Sequence, residues 1–141
     1  MRLGSVAVAA ALCLSAAGVA DAATLHFTAG LRGSDEVPAN ATTGAGQVTA
    51  TLDTISRAFS YDATYSGLTG PAIAAHFHGP AAPGANAPPI ISIKNLASPI
   101  KGTVTLTDAQ IADLKAGKWY FNVHTAAHPG GEIRGQLKAT P

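Results

Sequence analysis

Residues 71–79 read PAIAAHFHG, and their alternation decides what kind of fold this chain adopts. Successive side chains of an extended strand point to opposite faces. Ile73, Ala75 and Phe77 therefore fall on one face, and Ala74, His76 and His78 on the other. The apolar face predicts a strand packed on a core. The other face carries two histidines side by side, at the edge of the loop GPAAPGANAPP (79–89).

The same period of two recurs on both sides of this stretch. GQVTATLD (46–53) sets Val48, Ala50 and Leu52 against Gln47, Thr49 and Thr51. AFSYDATYSGL (58–68) sets Phe59, Tyr61, Ala63 and Tyr65 against Ser60, Asp62 and Thr64. PIISIKNL (89–96), KGTVTLT (101–107), KWYFNVHT (118–125) and EIRGQLKA (132–139) follow, divided by Gly and Pro. Short alternating runs with frequent turn signals predict an all-β fold, an antiparallel Greek-key sandwich or barrel. One segment departs from the pattern. In TLTDAQIADLKAGK, Thr107 is an N-cap, Gln110 its capping-box partner, and Gly117 the stop. A short helix is expected near residues 108–116. The loop 79–89 contains Pro80, Pro83, Pro88 and Pro89, four of the nine prolines of the chain. It cannot be regular structure, and its prolines favour a single held shape.

The first 22 residues have the order of a secretory signal: an early Arg2, an apolar run from Val6 to Leu14, and small residues at Ala20 and Ala22. Cleavage is expected after Ala22. The 141-residue chain would then become a single domain of 119 residues, 23–141, periplasmic or secreted. The apolar run is shorter than the roughly 20 residues a spanning helix needs, and no membrane span is expected in the mature chain. That chain would lack Arg2 and Asp21, leaving eight basic and seven acidic residues, dispersed singly. This is not the clustered footprint of a nucleic-acid binder. The only cysteine, Cys13, and the only methionine, Met1, lie in the signal. Disulfides, thiolate zinc sites and thioether sites for Cu(I) are thereby excluded from the mature domain.

Histidines carry the remaining chemistry. His76 and His78 stand on one strand face, roughly 6.5 to 7 Å apart along the strand. In YFNVHTAAHPGGEIRGQL (120–137), His124 shares a face with Tyr120 and Asn122, and His128 precedes a Pro-Gly-Gly turn. Neutral imidazoles with no sulfur companion suit Cu(II), Zn(II) or Ni(II). His76, His78, His124 and His128 are the candidate metal ligands, with copper the expected ion and zinc the alternative. Glu132 and Arg134 fall on one face of the last strand as candidates to orient the ligands. The competing reading makes the histidines hydrogen-bonding struts for the Pro/Gly loops, with Glu132 and Arg134 as an ion pair. His26, near the mature N-terminus, reads as an ordinary surface histidine. No GxSxG elbow is present, and the adjacent Asp35 and Glu36 read as a solvated turn, not a glycosidase pair.

Three segments carry a family resemblance: LRGSDEVPANATTGAGQVTATLD (31–53), YSGLTGPAIAAHFHGPAAPGANAPPI (65–90) and LKAGKWYFNVHTAAHPGGEIRGQL (114–137). Together they resemble the CHRD family, named for a domain repeated in chordin and also found singly in secreted bacterial proteins. The resemblance implies an extracytoplasmic all-β domain and implies no particular reaction. It also implies a rival to metal binding, a non-catalytic module whose partner is another extracytoplasmic protein. HFHG and NVHT look in addition like the histidine strands of copper/zinc superoxide dismutases. That likeness matches His76 and His78 to a copper pair, His124 to a later copper histidine and Arg134 to an arginine near copper. It implies a redox copper enzyme as a further alternative, without the dismutases' disulfide and without a clear zinc loop.

Overall fold

The computed structural model describes residues 22–141. The expected signal segment and its cleavage site at Ala22 lie outside the described residues or at their border. Nine strands and one helix follow one another: β1 (Thr24–Arg32), β2 (Ala45–Asp53), β3 (Ala58–Ser66), β4 (Ala72–His78), β5 (Pro89–Ser92), β6 (Ile100–Thr105), α1 (Asp108–Lys115), β7 (Tyr120–Thr125), β8 (Ile133–Gln136) and β9 (Lys138–Thr140). A single 3-10 turn, Gly33–Asp35, follows β1. Among the described residues no helix is long and apolar enough to cross a membrane.

All nine strands belong to one antiparallel sheet. Its order is β5-β4-β7-β8-β1-β2-β3-β6, with β9 added to β1. The sheet curls on itself so that its two halves face each other, and the expected all-β sandwich or barrel is realised as a half-barrel. The halves meet where they are thinnest, at the single pair Arg32↔Arg134 between β1 and β8. Across the interior, Phe59 of β3 meets Phe77 of β4 edge-to-face with ring centroids 5.4 Å apart, and meets Trp119 at 5.6 Å. Edge-to-face pairs place the positive ring edge on the negative face of the partner. Val48, Leu52, Phe59, Ala63, Ala75 and Phe77, all read from the sequence on apolar strand faces, are completely buried, as are Phe121 and Val123.

Two local features differ from the sequence pattern. Ile73 was expected beside Ala75 and Phe77, yet it is exposed. The β4–β7 register shifts between Ala72 and Ala74, so Ile73 drops out of the ladder and out of its face. The segment 24–32, read only for its histidine, is a long strand at the middle of the sheet, paired with β2 over nine residues. The helix matches its signals: Thr107 Oγ1 accepts from the Gln110 N–H, and Gln110 Oε1 accepts from the Thr107 N–H. Gly117 follows at φ +70°, the left-handed conformation that glycine adopts at low cost.

Strand β8 lies very close to β1. A Cβ on Gly135 would run into the main-chain carbonyl of Gly30. The expectation is that Gly135→Ala costs about 1 to 3 kcal/mol through overpacking. Gly70→Ala, whose Cβ would meet nothing within 4 Å, leaves stability unchanged. Thermal unfolding of both variants checks this; a Gly135→Ala protein as stable as the parent contradicts the close approach.

Candidate metal centre

Strands β4 and β7 are neighbours, and their register puts His76 opposite Asn122 and Ala74 opposite His124. The histidines from the two segments therefore converge on one face. His76 Nδ1 lies 3.1 Å from His124 Nε2. One nitrogen from each of His76, His78 and His124 can be chosen so that all three lie within 4.8 Å of one another. His78 and His124 are buried and His76 is half-buried, so the group is reached from the His76 side.

The donor set fits a transition-metal ion. Metal–imidazole bonds are about 2.0–2.1 Å long, so two nitrogens 3.1 Å apart subtend roughly 95 to 102° at the ion. That lies between square-planar and tetrahedral angles. Two nitrogens on one ion stand about 4.2 Å apart at most, when trans, and about 3.4 Å apart at a tetrahedral angle, so a pair at the 4.8 Å limit has to close by about 0.6 Å in the first case and about 1.4 Å in the second. His124 is already oriented for the task. Its Nδ1–H donates to the Pro129 carbonyl at 2.9 Å, which leaves the Nε2 lone pair directed at His76. Without an ion, His76 Nδ1–H is the donor that fills this gap. Burial, then the neighbouring His124 and His78, hold the His76 imidazole below its ordinary pKa of 6.5. Burial also lowers His78, against the opposing effects of its contacts with Ala87 and Asn122. Both shifts favour the neutral, metal-binding form near neutral pH.

His78 is held more tightly than its companions. Its Nδ1 is 2.9 Å from the Ala87 carbonyl, and its Nε2 is 2.9 Å from Asn122 Oδ1. Its ring stacks on Tyr120, 4.7 Å between centroids and 3° between planes. The guanidinium of Arg134 stands over the same Tyr120 ring at 3.4 Å. Arg134 then donates to Asn86 Oδ1 and to the Ala85 carbonyl. Tyr120 itself bonds the main chain of Ala87, and Gln136 donates to the Ala81 carbonyl. The loop 79–89 is thus fastened to the sheet at Ala81 and again at Ala85, Asn86 and Ala87.

The remaining sequence candidates take other positions. His128 is outside the three-histidine group; its main chain closes the turn with Thr125 and Gly131. Among the described residues Glu132 makes no hydrogen bond to a histidine. It accepts hydrogen bonds from Thr42 Oγ1, Thr69 N–H, Thr69 Oγ1 and Thr125 Oγ1. Glu132 precedes β8, so strand alternation does not govern where its side chain points. Glu132 and Arg134 form no ion pair; the ion pairs among the described residues are Arg32–Asp35, Arg57–Asp108 and Asp62–Lys101. Arg134, matched above to an arginine beside copper, is one aromatic ring removed from the histidines and committed to the loop.

One residue was missed. Glu36 is buried, its Oε1 has no hydrogen-bond partner, and it sits against Asn122 and Gly131. It borders a cavity of about 420 Å3 lined also by Arg32, Asp35, Arg134, Gln136 and Lys138. Burial pushes its pKa from 4.5 up to about 7, with Arg134 and Asn122 opposing. The sequence signal was misleading, because Asp35-Glu36 looks like a solvated turn, and Asp35 alone is solvated.

Residues 27–137 match the CHRD domain. The chain belongs to the CHRD family. Comparison with curated proteins and with solved structures gives no match. The CHRD segment includes the three converging histidines, Glu36, Asn122, Glu132 and Arg134.

Glu132 yields a pH-dependent expectation. Burial raises its pKa, but the bonds from Thr125, Thr42 and Thr69 prevail and hold it at about 2, against an ordinary 4.5. Its stabilising contribution is complete above pH 4.5 and is lost as pH falls from there toward 2. Glu132→Gln is expected to cost at least about 2 kcal/mol at pH 6, since charge-assisted hydrogen bonds contribute roughly 1.5–3 kcal/mol each. The deficit relative to wild type should shrink at pH 3. Urea unfolding of both proteins at the two pH values measures it.

Proposed function

We propose that this CHRD domain binds a transition-metal ion, copper(II) or alternatively zinc(II), through His76, His78 and His124, and that it stores or delivers the ion outside the cytoplasm. The observation that carries the reading is the 3.1 Å approach of His76 Nδ1 to His124 Nε2, across two strands whose histidines are 48 residues apart. The bond from His124 Nδ1–H to Pro129 O supports it, because ligating histidines characteristically donate their second N–H to a carbonyl or carboxylate. An all-nitrogen donor set favours Cu(II) and Zn(II) over Cu(I). Half-exposed His76 leaves one side of the group open, which suits an ion that is taken up and handed on.

A second reading rests on a different observation. His78 and His124 each bond a loop carbonyl, Ala87 and Pro129, and in that role they serve as struts of a module that binds another extracytoplasmic protein. The two readings differ in their response to metal, since an ion that binds only the native state raises its stability.

Calorimetric titration of the domain with Cu(II) and Zn(II) discriminates them. Wild type should bind one ion and gain in melting temperature. His76→Ala and His124→Ala should weaken binding by more than about 100-fold, beyond the 10- to 100-fold typical for loss of an orienting partner. His128→Ala should bind as wild type does. Equal binding by wild type, His76→Ala and His124→Ala, or no binding by any, removes the metal site and favours the protein-binding module.

A further inference from the structure

We propose that Asn122 is a two-position amide switch, through which the buried carboxyl of Glu36 decides which ring nitrogen of His78 carries the hydrogen. The link of this switch to an ion rests on the metal reading above, whereas the switch itself is a property of the metal-free chain.

The geometry leaves His78 with one hydrogen too few. Both of its ring nitrogens face oxygens, Ala87 O and Asn122 Oδ1, each at 2.9 Å. A neutral imidazole has one N–H and therefore donates to only one of them. Ala87 O is a carbonyl and can only accept. The loop that carries it is fixed by Tyr120 and Arg134. Asn122 is different, because its amide presents an acceptor at one end and two donors at the other, and the ends are nearly isosteric. Turning it by about 180° would direct Nδ2–H at the His78 Nε2 lone pair, while His78 Nδ1–H donates to Ala87 O.

Whether Asn122 can turn depends on what meets its other end. Asn122 Nδ2 and Glu36 Oε1 converge over Gly131, where a Cβ would overlap both. Oε1 is buried and makes no hydrogen bond as it stands. Ionised Glu36 is acceptor-only, so it calls for Nδ2 and holds Oδ1 toward His78. Protonated Glu36 brings an O–H, which calls for Oδ1 and sends Nδ2 to His78. In the second arrangement every group is paired: Glu36 O–H to Asn122 Oδ1, Asn122 Nδ2–H to His78 Nε2, and His78 Nδ1–H to Ala87 O. The hydrogen of His78 thus follows the protonation of a carboxyl that it does not touch.

Glu36 is suited to this position, since burial places its pKa at about 7, within the range that surroundings cross. The charged groups that face it are Arg134 of β8, which opposes the rise, together with Arg32, Asp35 and Lys138 around the shared cavity, and His78 beyond Asn122. The consequence for an ion is that Nε2, the nitrogen not fastened to the fixed loop, is governed by Asn122 and Glu36.

Nitrogen-15 NMR of the His78 ring in the metal-free full chain, from pH 5 to 9, tests the proposal. In wild type the His78 nitrogen shifts should show a step near pH 7 that coincides with titration of the Glu36 carboxyl carbon. That step should be distinct from protonation of the ring itself, which falls lower. Glu36→Gln, which cannot titrate, should abolish the step. Asn122→Ser should abolish it while the Glu36 carboxyl still titrates, a result that structural damage alone would not give. A step that persists unchanged in either variant, or a wild-type ring blind to Glu36, overturns the switch. Because no ion is added, a failure of metal binding in the titrations above leaves this outcome unaffected.

Discussion

The guanidinium of Arg134 is 2 % exposed and permanently charged, and the outer face of the sheet is organised around the way that charge is accommodated. A buried cation without partners would be strongly unfavourable. Arg134 meets this by stacking on Tyr120 and by donating to Asn86 and Ala85 of the loop 79–89. The loop is thereby held over the strands, and Ala87 is delivered to His78. Tyr120, covered by Arg134, in turn carries the His78 ring. Strand β7 is buried on both faces: the core covers one, and on the other the loop 79–89 reaches Tyr120 while the turn after β7 reaches His124. The position of His78 thus depends on a cation to which its ring makes no hydrogen bond.

The same bonds define what the histidines can do. A strut needs a donor on each ring and no open space. A ligand set needs lone pairs directed at a common point. His124 meets both requirements, donating from Nδ1 and turning its Nε2 lone pair toward His76. His76 makes no bond to a loop and is half-exposed, which a strut would not require. His78 differs from both, because oxygens face both of its nitrogens. His76 and His124 thus bring two nitrogens together, whereas oxygens face both nitrogens of His78.

Strand alternation made much of this legible. It placed His76 and His78 together on the face opposite Phe77, and His124 opposite Val123, as observed. It could not place the two segments side by side, because pairing of β4 with β7 depends on contacts 48 residues apart. The central strand β1 carries the same alternation, with Leu25, Phe27, Ala29 and Leu31 on one face and His26 on the other. The bulge at Ile73 and the position of Glu132 failed for a shared reason. Period two holds only while the ladder is continuous, and both residues lie where it is interrupted or has not begun.

Glu36 and Glu132 show why the sequence could not rank these acids. Both are buried carboxyls in the same domain, and burial raises the pKa of each. Glu132 is surrounded by three threonines that donate four hydrogen bonds, and it stays ionised down to about pH 2. Glu36 has an oxygen that makes no hydrogen bond, and its pKa rises to about 7. The difference lies in the number of donors, which come from loops distant in sequence. A carboxylate supplied with donors on every side is locked in one protonation state and serves to fasten loops. A buried carboxyl with too few donors to offset its burial is left near the point of half-protonation, where its neighbours respond to it. Only the second kind can pass a change in its own state to Asn122 and the histidine beyond.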